Sequence, residues 1–234
     1  KEKTMEVIKV KINRNAMNDE KKGSIVVEMP YGTCTIIVNA IQADFSKLPE
    51  MTFVMTNGYI SIEAEHYSLN KEAANQQGDV NRFEVLHGYG KTLSAMKAFP
   101  TTKYFTPGKD APYLEYHFVV QEAGVYELEL YMQPSNPVTQ DSTLFCGIQA
   151  NEDDINMVNT LPEGYRVDDQ NWAAGVLNNI RRHSSSIICK EGLNTLRIYA
   201  VSPGFVLEKL VIYPEGKKPA NSYLGPTETY YIGK

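Results

Sequence analysis

The sequence has little that would suit it to nucleic acid, to a membrane or to a disulfide scaffold. Of its 234 residues, one is Trp and three are Cys, so at most one internal disulfide can form. Acidic residues outnumber Lys and Arg by 28 to 23, and the net charge of −5 argues against nucleic acid or an anionic membrane as a partner. No apolar run approaches the roughly 18 residues of a transmembrane helix.

The residues that are present favour strands joined by many loops. Fifteen Tyr, 16 Gly and 12 Pro give a composition rich in β-formers and turn-formers. Apolar and polar residues alternate over residues 126–132, which indicates a strand with one buried face. Similar patterns predict strands over residues 5–12, 24–29, 34–40, 59–66, 92–99, 114–120, 142–150, 186–189, 193–201 and 205–213. Only residues 171–182 favour a helix, so we predict an all-β fold, an antiparallel β-sandwich.

The strand pattern divides the chain into two parts of unequal size. Residues 1–56 hold two or three strands, a marginal number for a stable unit, and are expected to form a small β-segment. That segment is either part of an immunoglobulin-like sandwich or a packing extension. The main sandwich is expected over residues 57–234.

Sequence motifs of catalysis are weak in this chain. His87-Gly-Tyr-Gly-Lys-Thr92 ends like a phosphate-binding loop, but Val85 stands where the first glycine is needed. Ser94 and Lys97 match a Ser-x-x-Lys motif on a predicted strand, where the two side chains point to opposite faces. The sequence therefore nominates no catalytic residue.

Three glutamates form a candidate metal site. Glu63 and Glu65 are two residues apart on a predicted strand, so both carboxylates project from one face, where they could bind calcium. Glu208 interrupts an apolar strand, so we expect it to be buried and to be paired, protonated or metal-bound. The alternative is a solvated face for the first two and an ion pair for Glu208.

Aromatic and arginine side chains in predicted loops are the candidate ligand-binding residues. The aromatic candidates for stacking on a sugar ring are Trp172, Tyr89 and Tyr165. The candidates for binding a carboxylate through two parallel hydrogen bonds are Arg166, Arg181 and Arg182. A lone Trp is also typical of a core anchor, and both roles remain open for Trp172.

Five ordered blocks of sequence resemble the C-terminal domain of glycoside hydrolase family 115. They are Asn57-Gly-Tyr-Ile-Ser-Ile-Glu-Ala-Glu-His-Tyr67, Gly90-Lys-Thr-Leu-Ser-Ala-Met96 with Phe99-Pro100, Trp172-Ala-Ala-Gly-Val-Leu-Asn-Asn-Ile-Arg181, Pro203-Gly-Phe-Val-Leu-Glu-Lys-Leu-Val-Ile212 and Ser222-Tyr-Leu-Gly-Pro226. The resemblance covers residues 57–228 and implies a β-sandwich module. Residues 23–56 resemble the small β-region that precedes this domain in the family. Family members are xylan α-glucuronidases, which remove (4-O-methyl-)glucuronic acid from xylan.

The resemblance implies a non-catalytic accessory module, because the catalytic acids of the family lie in a barrel domain that these 234 residues do not include. We expect binding of xylan, glucuronoxylan or another plant polysaccharide. The alternatives are a docking or dimerisation domain that contacts a catalytic barrel or a second copy, and an unrecognised glycoside hydrolase. The resemblance further implies a bacterial protein that, in its mature form, is secreted, periplasmic or at the cell surface.

The Ile62-Glu-Ala-Glu65 block also resembles carbohydrate-binding modules of families 6 and 35. These modules are galactose-binding-like jelly rolls in which two glutamates and a later acidic residue hold a structural calcium. The resemblance therefore implies Glu63, Glu65 and Glu208 as calcium ligands. The third ligand is usually Asp in those modules.

Overall fold

The computed structural model describes residues 22–39, 47–74, 78–138 and 143–232, which form fifteen strands and one helix. The chain divides into two compact units, Lys1–Lys47 and Leu48–Lys234. This division falls earlier than the boundary expected between residues 56 and 57. The strand predicted over residues 5–12 lies outside the described residues.

The described part of the first unit is a β-hairpin. Strands β1 (Lys22–Met29) and β2 (Gly32–Asn39) pair antiparallel, with Ile25 opposite Ile36. Pro30 and Tyr31 connect them in a turn, between the strands predicted over residues 24–29 and 34–40.

The second unit contains two sheets, of which sheet I includes the strand with the buried glutamate. In spatial order, sheet I consists of β13 (Arg181–Cys189), β10 (Gly124–Met132), β15 (Val206–Pro214), β8 (Ala95–Phe99), β7 (Val80–Leu86) and β6 (Ala73–Ala74). A further strand, β4 (Ile60–Glu63), pairs with the C-terminal half of β15 and places Glu63 opposite Lys209. This register decides which side chains meet at the site described below.

Sheet II covers the other side of the core. Its strands in spatial order are β12 (Asn156–Asn159), β11 (Phe145–Ala150), β14 (Gly192–Ala200), β9 (Tyr113–Val120) and β3 (Thr52–Val54), and β5 (Leu69–Lys71) also pairs with β9. The pairings are antiparallel except that of β3 with β9.

The core lies between the two sheets. Alternate residues of β9 are buried, as the period-two pattern predicted, and Leu114 and Phe118 share one apolar cluster with Leu128 and Leu130 of β10. The predicted all-β antiparallel sandwich is confirmed.

Helix α1 (Gln170–Asn178) is the only helix in the described ranges, and none there is long and apolar enough to cross a membrane. Asp169 caps its N-terminus by accepting the Trp172 N–H at 2.7 Å. Asn179 adopts a left-handed conformation and ends the helix, so the helix stops short of the predicted residue 182, and β13 begins at Arg181.

Two further sequence predictions differ from the structure. Strand β7 lies within a region expected to be irregular, and the strand predicted over residues 92–99 begins only at Ala95. Residues 90–94 instead form a tight turn, in which a Cβ atom on Gly90 would lie 2.2 Å from the Ser94 carbonyl oxygen. Of the three cysteines, Cys146 and Cys189 are buried, Cys34 is exposed, and all are free thiols.

Candidate functional site

A cleft of about 570 Å³ lies where three segments of the second unit meet. This volume falls within the range of small-molecule binding sites. The first wall is Lys91 of the β7–β8 loop, the second is helix α1 with the start of β13, and the third is the segment of residues 221–223. The polar lining residues are Lys91, Asn171, Asn178, Arg181, Arg182, Asn221, Ser222 and Tyr223.

The cleft is positively charged although the chain is acidic. Its lining contains three cations, Lys91, Arg181 and Arg182, and no Asp or Glu. Within the described ranges none of the three cations forms an ion pair with a carboxylate. Clustered cations without a counter-charge attract an anionic group.

Lys91 joins the three walls of the cleft. Its Nζ atom donates to the Asn178 carbonyl oxygen at 2.8 Å, near the C-terminal end of α1, and lies 3.6 Å from the centroid of the Tyr223 ring. Burial lowers the pKa of Lys91, and the nearby charge of Arg182 lowers it further. Lys91 and Arg182 therefore repel each other across the cleft, and a bound anion would relieve this repulsion.

The two arginines are held rigidly by neutral partners. Buried Arg181 donates to the Ser135 carbonyl oxygen at 2.8 Å and to the Tyr165 hydroxyl at 2.9 Å. Arg182 donates to Asn221 Oδ1 at 3.0 Å. These acceptors carry no net charge, and within the described ranges neither guanidinium group forms an ion pair with a carboxylate.

The three sequence-predicted glutamates come together at the loop of residues 90–94, which supplies the first wall of the cleft. Glu208 Oε2 accepts the Lys91 backbone N–H at 2.7 Å. Glu63 Oε2 accepts the Thr92 hydroxyl at 2.6 Å, and Glu65 Oε1 accepts the Ser94 N–H at 2.9 Å. Glu208 is 2% exposed, which confirms the burial predicted from its apolar flanks.

Glu63 also pairs with a lysine that the sequence did not nominate. The cross-strand register of β4 and β15 brings Lys209 Nζ to 2.9 Å from Glu63 Oε1, and both side chains are almost fully buried. The expectation of a solvated face therefore does not hold for Glu63. The ion pair expected as the alternative for Glu208 is not found among the described residues either. Glu208 accepts the backbone N–H of Lys91 instead.

The fit of these residues to calcium is incomplete. Two buried carboxylate oxygens, Glu65 Oε2 and Glu208 Oε1, have no partner, whereas both Glu63 oxygens are engaged by Lys209 and Thr92. Calcium takes six to eight oxygens. Among the described residues, no group of three or more His, Cys, Asp or Glu is arranged to hold a metal. Calcium binding is therefore implied by the resemblance alone, and the Glu63–Lys209 ion pair argues against it.

Removal of calcium with EDTA tests whether the fold contains a structural calcium ion. A structural calcium would stabilise the native state by mass action, so EDTA would lower the melting temperature. Because Lys209 already supplies a positive charge to Glu63, we expect an unchanged melting temperature in EDTA. A fall that added calcium reverses would contradict this expectation.

Of the six candidate ligand-binding residues, Arg181 and Arg182 line the cleft, whereas Trp172, Tyr89, Tyr165 and Arg166 do not. Tyr89 is exposed and Arg166 lies on the surface beside the helix cap. Trp172 packs against the core, and Tyr165 is buried and contacts the cleft residues Pro162 and Arg181. Their roles in binding stay predictions.

The sequence did not nominate Lys91, Asn178, Asn221 or Tyr223. These residues come from three loops or helix ends far apart in the chain, and no local spacing connects them. The sequence contains only an indirect signal for these residues. Three of the five blocks that resemble the family, residues 90–96, 172–181 and 222–226, include most of the residues that line the cleft.

The fold is that of a β-sandwich module with a polar cleft among its loops. Residues 52–228 match the family described as the glycosyl hydrolase family 115 C-terminal domain. The match covers most of the chain, and the chain belongs to this family. It is a carbohydrate-related accessory module. No curated protein matches the sequence.

Solved structures with a similar arrangement of strands include enzymes and isolated modules. A family 115 4-O-methyl-α-glucuronidase with specificity for decorated arabinogalactans is 12% identical, with a TM-score of 0.46 over 75% of this chain and 19% of that enzyme. A family 35 carbohydrate-binding module from Clostridium thermocellum is 16% identical, with a TM-score of 0.42 over 65% of this chain and 97% of the module. A family 6 module of a laminarinase from Zobellia galactanivorans is 12% identical, with a TM-score of 0.37 over 66% of this chain and 98% of the module.

Proposed function

We propose that this chain is a non-catalytic module of a xylan-degrading system and that its cleft binds xylan decorated with glucuronic acid. The observation that carries the proposal is a group of three cations in a cleft of ligand size, Lys91, Arg181 and Arg182, none of which forms an ion pair with a described carboxylate. Membership of the family 115 C-terminal domain supports a carbohydrate as the ligand.

The chemistry of the lining suits an acidic sugar. Guanidinium and ammonium groups bind a carboxylate by charge-assisted hydrogen bonds. The amides of Asn171, Asn178 and Asn221 can donate to and accept from sugar hydroxyls. Tyr223 is largely exposed and offers ring surface for stacking against a sugar.

Binding is tested by calorimetric titration of xylo-oligosaccharides with and without a glucuronic acid branch. We expect the branched ligand to bind, and Lys91→Met to weaken it by about tenfold, because a charge-assisted contact to the carboxylate is lost. The matched control Lys109→Met removes the same charge from an exposed loop outside the cleft and should leave the affinity unchanged.

Two results would contradict the proposal. Equal affinity for branched and unbranched ligands, or no binding of either, would show that the cleft does not recognise the glucuronic acid branch. Release of glucuronic acid from decorated xylan by the isolated chain would show that the module is catalytic.

A docking role is the second candidate, and the rim of the cleft favours it. Leu177 is 81% exposed on α1, and Tyr223 and Leu224 are also exposed large hydrophobic residues. Exposed apolar groups beside a binding site are typical of protein interfaces. In this alternative the surface contacts a catalytic barrel or a second copy of the chain. Sedimentation of the isolated chain tests for the second copy, because only self-association would give a dimer.

We infer the location from the same proposed substrate. Xylan is a polymer outside the cell, so a module that binds it acts after export. The proposal therefore places the mature chain in the secreted, periplasmic or cell-surface fraction of a bacterium, where cell fractionation would find it.

A further inference from the structure

We propose that Glu208 and the Glu63–Lys209 ion pair are positioning residues of the cleft, which fix two of its walls before any ligand binds. The identity of that ligand rests on the proposed function, whereas the positioning does not. These residues form hydrogen bonds to two of the wall-forming segments and do not themselves line the cleft.

The first wall is held through the loop of residues 90–94. Glu208 binds the backbone N–H of Lys91, and Glu63 binds the side chain of Thr92. The Lys91 side chain is bound at its far end by the Asn178 carbonyl oxygen. Lys91 is therefore anchored at its backbone and at its ammonium group, and only its methylene chain is free to move.

Lys209, the partner of Glu63 in the buried ion pair, holds the third wall. Lys209 Nζ donates to the carbonyl oxygens of Pro226 at 3.2 Å and Leu224 at 3.4 Å. Ser61 Oγ donates to the Pro226 carbonyl oxygen at 3.0 Å. These contacts fix the chain immediately after Tyr223, whose ring meets the Lys91 ammonium group.

One buried ion pair thus reaches both walls. One Glu63 oxygen accepts from the loop, and the other pairs with Lys209. Lys209 in turn donates to the segment that follows Tyr223. Charge-assisted hydrogen bonds in a buried, low-dielectric setting are strong and directional. Walls fixed in this way need no ordering when a ligand binds, which lowers the entropic cost of binding.

Amide hydrogen exchange of the chain without ligand tests the positioning directly. In Glu208→Ala we expect the Lys91 amide to exchange at least about tenfold faster, because its acceptor is lost and the loop opens locally. Glu208→Gln retains an acceptor oxygen and should restore most of the protection. The matched control Glu115→Ala removes a glutamate of sheet II that pairs with Arg197, and should leave the loop unchanged.

A milder variant covers the case in which Glu208→Ala does not fold. Thr92→Val removes only the hydroxyl that Glu63 accepts, keeps the shape of the side chain, and should also speed exchange within residues 90–94. Unchanged exchange in the folded variants would overturn the proposal.

Titration of the branched xylo-oligosaccharide forms the second arm of the experiment. Glu208→Ala should weaken binding by about tenfold or more through the loss of a preformed wall, while Glu208→Gln stays near wild type. If the wild-type chain binds no glycan, the proposed function fails while the exchange arm still decides the positioning. Faster exchange with unchanged glycan affinity would overturn the positioning role and leave the proposed function intact.

Discussion

Lys209→Met is expected to lower the free energy of unfolding of the second unit by about 3–5 kcal/mol, since it leaves one charge of a buried pair without its partner. The Glu63 carboxylate would lose its cation within the sandwich, and two carbonyl oxygens of the following segment would lose a donor. Chemical denaturation monitored by fluorescence or circular dichroism measures the change.

The double variant Glu63→Gln/Lys209→Met supplies the control. With both charges removed, no unpaired buried charge remains, so part of the loss should be recovered. The matched variant Lys109→Met should be nearly neutral, because the Lys109 side chain is exposed. A loss below about 1 kcal/mol for Lys209→Met would show that the pair is solvated and does not organise the fold.

Glu208→Gln is expected to stabilise the chain at pH 8 by about 2 kcal/mol, the cost of holding that carboxylate ionised and buried. Burial raises the pKa of Glu208 from 4.5 to about 7, although the Lys91 backbone N–H and ammonium group oppose the shift. Glutamine occupies the same space, carries no charge and can still accept the Lys91 N–H.

The sign of the pH dependence follows from proton binding. Between pH 4.5 and about 7 the native state holds the Glu208 proton more tightly than the unfolded state does. The stability of the wild-type chain therefore falls as pH rises through this window and reaches its lower level above pH 7. In Glu208→Gln this fall should be absent. Melting temperatures from pH 5 to pH 8 measure it, and parallel profiles for the two proteins would contradict the prediction.

The sequence predicted the sandwich well because its strands carry their signal locally. Alternation over residues 126–132 located β10, and the apolar flanks of Glu208 indicated that it lies buried in β15. Residues 92–94 were predicted as strand but belong to the β7–β8 loop. The turn of this loop depends on Gly90 and on three glutamates distant in sequence, two of them in β4 and β15, and no short window of sequence shows such contacts.

The site itself was only partly predictable. Glu63, Glu65 and Glu208 were grouped by resemblance, and the structure does bring them to one loop. Their partner Lys209 depends on the register between β4 and β15, which the sequence does not reveal. The cleft residues Asn178 and Tyr223 are far apart in sequence and are brought together only in the folded chain, where both contact the Lys91 ammonium group.

The segment that supplies the third wall follows the last strand of the sandwich. The last strand, β15, ends at Pro214, yet Asn221, Ser222 and Tyr223 lie beyond it. Further on, the backbone of Thr229 bonds to Ser61, and the ring of Tyr231 packs on Phe53. The C-terminal stretch is therefore bound to the sandwich at both of its ends. A chain shortened to its last strand would lose one side of its cleft, together with the backbone bonds that residues 229–232 make to β3 and β4.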